Sequence, residues 1–403
     1  MRETIVATYR LGLEAGESLE RKAEQIALGQ TVGTWTPLPQ ADPAVWEQHR
    51  GEVVGIERLP DAGLVRIAFP TANCEPDVPS LLTMVFGKVS LDGRIKLLDL
   101  TLPDGWLARF PGPKLGIAGL RARLGIPDRP LAMAIFKPCL GLSPAQLAEM
   151  FYELGVGGLD LIKDDEILPD LPTAPTEQRL EACLAAAARV RHDTGRTILY
   201  AINLTGPAGS LRERAHRLQA RGATCFLFNV LAYGWAALQE LSSDPTLTTP
   251  IMAHPALSGG LCGAPEHGMS FPLVLGKLMR LAGADIVLYP AHYGTLPFPQ
   301  EDEFEIRDAL REPWGANRPL APAWPGPSAG IHPGMVPRLL ADYGRDVVIN
   351  AGGGIHGHAQ GPRAGARAMR QAVDLALAGH PFTEPLPDGH EELAAAIGQW
   401  GAQ

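Results

Sequence analysis

From residue 131 onward, short apolar runs of strand length alternate with longer helical segments eight times over, and few folds accommodate that alternation. The strand candidates are 131–136, 158–162, 197–203, 224–229, 250–253, 284–289, 321–327 and 347–351. Helical spacing marks 143–154, 176–194, 209–221, 233–242, 270–282, 302–311 and 334–343, and a last helix spans 363–379. Apolar runs of this kind bury both faces in a parallel sheet whose crossovers are helices. Eight strand–helix units in about 250 residues is the arithmetic of a (β/α)8 TIM barrel. The rival is an open doubly wound sheet, for which a Walker phosphate loop would speak; the chain has none.

The first 130 residues have a different texture. Residues 4–11 alternate as a strand does, and 18–28 have helical spacing. Residues 52–58 and 63–69 read as a strand pair across the turn-rich Pro60-Asp61-Ala62-Gly63, and further apolar runs follow at 81–86 and 94–101. A mixed sheet with helices on one face is the economical arrangement. The Pro/Gly-rich Phe110-Pro111-Gly112-Pro113 and a short helix after it make a linker. The expected fold class is therefore α/β. An N-terminal α+β (ferredoxin-like) domain spans 1–125, and a barrel domain with a C-terminal helical tail spans 126–403.

In a barrel, chemistry belongs to the loops that follow the strands. Strand 1 ends at Lys137, strand 2 runs into Lys163-Asp164-Asp165-Glu166, and strand 5 ends at His254. Strand 7 ends at Ser328-Ala329-Gly330 and strand 8 at Gly352-Gly353-Gly354. Any one of these clusters alone reads as a solvated turn. All of them at one end of the sheet argue for a site.

Asp165 and Glu166 are hard oxygen donors of the kind Mg²⁺ takes. Lys163 beside them admits two readings: an ion pair with Asp164 or Asp165, or a neutral amine that adds CO₂ and becomes a third anionic ligand. The glycines of 352–354, with Ser328 and Gly330, offer backbone N–H groups to a phosphate, where barrels usually bind one. Lys137 suits a general acid or base, or a fixed cation, and His254 suits a hydrogen bond to a substrate hydroxyl.

Composition narrows the partners. A net charge of −9 speaks against nucleic acid and acidic membranes. No apolar run is long enough to span a bilayer, and no signal pattern opens the chain. The five cysteines include no C-x-x-C pair, which fits a reducing, cytoplasmic setting.

Taken together, Phe136 to Leu142, Gly157 to Glu166, Pro327 to His332 and Ala351 to Gly354 resemble the RuBisCO superfamily, as does Thr31-Val32-Gly33-Thr34-Trp35. The resemblance covers nearly the whole chain. It implies an N-terminal α+β domain, a barrel and a homodimer whose active sites join the barrel of one chain to the N-terminal domain of the other. It further implies that Lys163 is a carbamate and binds Mg²⁺ with Asp165 and Glu166.

Departures from the carboxylases are specific. Tyr293-Gly294-Thr295-Leu296-Pro297 stands where the carboxylases carry the lysine that supports the carboxylation intermediate. Gly29 and Met84 replace the N-domain glutamate and asparagine, and Pro255 replaces the arginine for a second phosphate. CO₂ fixation is thereby disfavoured, and a substrate with one phosphate is implied. Phe86 to Gly93, Ala201 to Gly206, Met252 to Ala256, Ser328 to Met335 and Ile349 to His358 resemble the RuBisCO-like enolases of methionine salvage. Those enzymes convert 2,3-diketo-5-methylthiopentyl-1-phosphate to its 1-phosphate enol, and the lysine matching Lys88 is their base. The resemblance assigns support or reprotonation of the enediolate oxygen to Lys137, and the phosphate to Thr34, Gly330, Gly352 and Gly353. Lys137 to Leu142 and Ala291-His292-Tyr293 differ from those enolases. This keeps open an isomerase of 5-methylthioribulose-1-phosphate, an enzyme of 3-oxo-isoapionate phosphate, and a non-catalytic homologue.

Overall fold

The computed structural model describes residues 2–402 apart from 35, 37, 38, 41, 317 and 318, so Trp35 lies outside the described residues. Its N-terminal sheet is built on β1 (Thr4–Gly12), which lies between β3 (Ala62–Pro70) and β4 (Ile95–Thr101), with β2 (Glu52–Arg58) outside β3. Alternation in β1 buries Ile5, Ala7, Tyr9 and Leu11. The helix Leu19–Gly29, capped by Ser18, lays Leu19, Ala23 and Ile26 into the same core. The apolar run at 81–86 is helical: Asp77 caps the helix Val78–Leu82, with Pro79 in its first turn, and a wider turn continues it over Thr83–Gly87. Leu81 and Val85, one turn apart, are both fully buried, so helical spacing rather than strand alternation governs that run.

The barrel strands are β5 (Leu131–Ile135), β6 (Leu161–Lys163), β7 (Leu199–Asn203), β8 (Cys225–Phe228), β9 (Ile251–Ala253), β10 (Ile286–Pro290), β11 (Trp324–Ser328) and β12 (Val348–Ala351). All pair in parallel in the order β11-β10-β9-β8-β7-β6-β5-β12, and Asn350 Nδ2 donates to Ser328 Oγ at 2.9 Å between the two outermost strands. Strand periodicity sorts the side chains into two sets. Leu131, Met133, Leu199, Leu227, Leu288 and Trp324 fill the barrel, and the helix Gly116–Leu124 plugs that set with Ile117, Leu120 and Leu124. Their neighbours Ala132, Ala134, Tyr200, Ile202, Phe226 and Val287 join the core under the outer helices.

β6 begins later than its apolar pattern suggests, because Gly158 ends the preceding helix with φ +120° and Asp160 is a buried partner of Arg129 (2.6 and 2.7 Å). The chain after β9 makes a long excursion back to the N-terminal sheet. There Gly268–Met269 pairs in parallel with β4, Arg94 binds Glu266 at 2.9 Å, and Lys96 reaches the carbonyls of Cys262 and Ala264. That excursion is thus clamped by the N-terminal domain. No helix among the described residues is long and apolar enough to cross a membrane.

Candidate active site

Because the barrel is parallel, Lys137, residues 163–166, His254, Ser328 to Gly330 and Gly352 to Gly354 all emerge at one mouth. The run Lys163-Asp164-Asp165-Glu166 is not a solvated turn: Lys163, Asp164 and Asp165 are at most 2% exposed. Buried charges must be paired, and each is.

Asp164 faces away from the mouth. It accepts both Nε and Nη2 of Arg179 (3.2 and 3.0 Å), the Tyr200 hydroxyl (2.5 Å) and the Asn203 N–H (2.9 Å). Asn203 and Asn229 then tie down the next two residues, donating to the Glu166 carbonyl at 3.0 Å each, and Asn203 also to the Asp165 carbonyl. None of these anchors was singled out from sequence. Their signal is a polar residue closing an apolar strand, as in Ile202-Asn203 and Phe228-Asn229.

With Asp164 so fixed, Asp165 and Glu166 belong to the mouth. Lys137 Nζ lies 2.8 Å from Asp165 Oδ2 and 3.0 Å from Cys139 Sγ. Lys163 Nζ lies 3.5 Å from Glu166 Oε2, whose other neighbour is His254 Nε2 at 3.3 Å. The ion pair expected of Lys163 with Asp164 or Asp165 is therefore made with Glu166 instead. Arg179 and Lys137 occupy the other two carboxylates, and of those two residues Lys163 reaches only the backbone carbonyl of Asp164, at 2.9 Å.

The two lysines are driven apart electrostatically. Burial pushes Lys163 below the ordinary lysine value, against the pull of Glu166. Burial also works against the charge on Lys137, but hydrogen bonds to Asp165 and Cys139 outweigh it and lift Lys137 above that value. Asp165 loses some of its stability as an anion to burial, yet the Lys137 hydrogen bond holds it below the carboxylate range. His254 is pushed down to about 3 by burial and by Lys163, so its imidazole is neutral at physiological pH, and its Nδ1 accepts the Ala256 N–H.

The glycine loops close in on this centre. A Cβ on Gly352 would lie 3.2 Å from Lys137 Cε, and one on Gly354 would strike the Ile331 carbonyl at 2.2 Å. Gly352, Gly354 and Gly357 have the spacing of a dinucleotide loop, but here they follow the last strand of a barrel. Gly330 (φ +100°) and Gly353 are exposed at the mouth, and no protein acceptor takes either N–H among the described residues. Ser328, by contrast, gives its hydroxyl proton to the Gly326 carbonyl and receives Asn350. The loop after β10 lies flat on this region: Thr295 N–H donates to the Ala329 carbonyl at 2.6 Å, and a Cβ on Gly294 would sit 2.1 Å from that oxygen.

Thr34 and Lys88 are exposed on the N-terminal domain and join none of these barrel groups within one chain. Gln30 Nε2 donates to the Met84 carbonyl at 2.8 Å, bringing the two segments that carry them side by side. A cavity of about 980 Å³ opens beside them, lined by Thr31, Trp46, His49, Thr83 and Met84, and contains no barrel residue.

Residues 116–400 match the family model "Ribulose bisphosphate carboxylase large chain, catalytic domain", and residues 1–106 match the corresponding N-terminal domain. The chain is 47% identical to a 2,3-diketo-5-methylthiopentyl-1-phosphate enolase of Geobacillus thermodenitrificans, over 99% of this chain and 98% of that one. Among solved structures, a rubisco-like protein from Alicyclobacillus acidocaldarius is 46% identical with a TM-score of 0.92, covering 100% of both chains. A dimeric archaeal Rubisco from Hyperthermus butylicus is 32% identical with a TM-score of 0.91, covering 100% of this chain and 96% of that one.

Proposed function

The chain belongs to the family of ribulose bisphosphate carboxylase large chains, and from that premise we propose that it enolises 2,3-diketo-5-methylthiopentyl-1-phosphate by proton removal at C1, without fixing CO₂. The observation that carries this reading is a continuous line of contacts across the barrel mouth. Gly352 lies so near Lys137 that a Cβ there would come within 3.2 Å of its Cε, Lys137 binds Asp165, and the adjacent Glu166 joins Lys163 to His254. Unpaired N–H groups of Gly330 and Gly353 border one end. Residues 291–298 contribute no lysine or arginine, so a carboxylation intermediate finds no cation there.

The donor set fits Mg²⁺. Asp165 and Glu166 are each neutralised by an ammonium, 2.8 and 3.5 Å away, which is charge a divalent cation would supply. No three His, Cys, Asp or Glu side chains among the described residues form a cage. A carbamate on Lys163, formed when its neutral amine adds CO₂ and sheds a proton, would bring the third anionic oxygen and remove a competing cation. The burial that lowers Lys163 favours that neutral amine. When bound, Mg²⁺ withdraws charge from the carbonyl oxygens and so acidifies the C1 proton.

Lys88 takes that proton. It is exposed in one chain, and docking against the barrel of a second copy would bring it to the mouth. Thr34, beside it, reaches the phosphate from the same second copy, so the protein works as a homodimer with shared sites. Lys137, which hydrogen-bonds Asp165, stabilises the enolate oxygen and protonates it to the enol. Gly330, Gly352 and Gly353 let the phosphate approach backbone N–H groups, while neutral His254 orients the diketone. Five free cysteines accord with a cytoplasmic setting.

Proton NMR in D₂O with Mg²⁺ and bicarbonate tests this reading. The diketone phosphate should exchange and enolise, and Lys88→Ala should abolish both. Turnover of 5-methylthioribulose-1-phosphate in place of the diketone would replace the enolase with an isomerase on the same site.

A further inference from the structure

Between the loops after β9 and β10 lies a cavity of about 380 Å³, at the low end of the roughly 300–1,000 Å³ typical of ligand pockets. Pro255, Ala256, Phe271, Leu296 and Phe298 wall it, and no lining residue is charged. Phe271 and Phe298 meet edge to face with ring centroids 4.8 Å apart, which fixes one wall. The loop after β9 that supplies Pro255, Ala256 and Phe271 is clamped by the N-terminal sheet, so this wall is preformed. His254 belongs both to the cavity lining and to the charged centre, through its 3.3 Å contact with Glu166. The cavity thus begins where the line of contacts from Gly352 ends, on the side of the mouth away from Lys137.

We propose that this cavity is the subsite for the uncharged, thioether-bearing tail of the substrate, and that Phe271, Leu296 and Phe298 set the preference for an apolar tail. The proposal rests on the enolase reading for the identity of the tail, but its chemistry is separable: any phosphate ester held at the glycine loops should gain affinity from an apolar chain of matching length. Removing such a chain from water favours binding by about fourfold per methylene.

Gly259 offers a way to fill the cavity without disturbing its frame. It lines the space from the short helix Ser258–Cys262, and a Cβ built there meets nothing within 4 Å. Titration calorimetry of the intact protein with n-butyl and n-hexyl phosphate should give roughly fifteenfold tighter binding of the hexyl ester. Gly259→Leu should erase or reverse that preference. In parallel, Gly259→Leu should raise KM for the methylthio diketone phosphate roughly tenfold or more, and shift the preference toward the analogue lacking the methylthio group. Chain-length-independent binding in the unaltered protein would overturn the tail subsite even if the diketone is enolised. Chain-length-dependent binding without enolisation of any diketone would uphold the subsite and remove the enolase reading.

Discussion

Replacing Arg179 with methionine removes the ion pair that orients the charged run, together with the bonds Arg179 donates to the Ala174, Pro169 and Leu168 carbonyls. Arg179 and Asp164 are both wholly buried, so solvent does not screen the pair. The substitution deletes two hydrogen bonds to one carboxylate oxygen, at 3.2 and 3.0 Å. Bonds to a charged group are worth about 1.5–3 kcal/mol each, and breaking a buried pair costs about 3–5 kcal/mol. Asp164 keeps the Tyr200 hydroxyl and the Asn203 N–H, which places the cost at the lower end, about 3 kcal/mol. That is a change of more than a hundredfold in the folding equilibrium. Urea unfolding followed by circular dichroism, at fixed protein concentration, reads the midpoint shift. Arg179→Met with Asp164→Asn should recover much of the loss, since the uncompensated carboxylate is gone. A single-variant loss below about 1 kcal/mol, or no recovery in the double variant, would refute the reasoning that a buried ion pair anchors this loop.

Three other outcomes follow from the same geometry. Lys88→Ala and Lys163→Ala should each be inactive alone, but mixed and reassorted chains should regain about a quarter of full activity, because half the dimers would then hold one intact site; no recovery in hybrids shown to form by native mass spectrometry would place each site within one chain. Gly352→Ala puts a Cβ 3.2 Å from Lys137 Cε, so kcat should fall roughly tenfold to hundredfold with little change in melting temperature. Lys163 binds its proton less tightly in the folded chain than in the unfolded one, so with Mg²⁺ and CO₂ removed, stability should rise with pH from its depressed folded value up to the ordinary lysine value. Lys163→Met should lack that rise in pH-dependent urea titrations.

Legibility in the sequence followed the range of the interactions. The barrel and its mouth could be read because strand periodicity and helix spacing are local, and because a parallel barrel forces every strand end onto one face. Ser143 with Gln146 even forms the capping box that opens the first barrel helix, a signal four residues wide. The run at 81–86 shows the limit of the same logic: an apolar hexamer carries no period of its own, and the cap at Asp77 decides that it is helical.

What the sequence by itself determined was therefore the order of the elements and the set of chemical groups delivered to one end of the barrel: Lys137, Lys163, Asp165, Glu166, His254 and the glycine loops. Tertiary structure alone decided how those groups divide their work. Asp164, Asp165 and Glu166 are three adjacent carboxylates, and nothing in their spacing says that the first is consumed by Arg179 from a distant helix, the second by Lys137 and the third by Lys163. Likewise, Phe271 and Phe298 become one wall only when two loops meet. Charge pairing and cavity shape depend on distances between residues far apart along the chain, and those distances exist only once the core has packed.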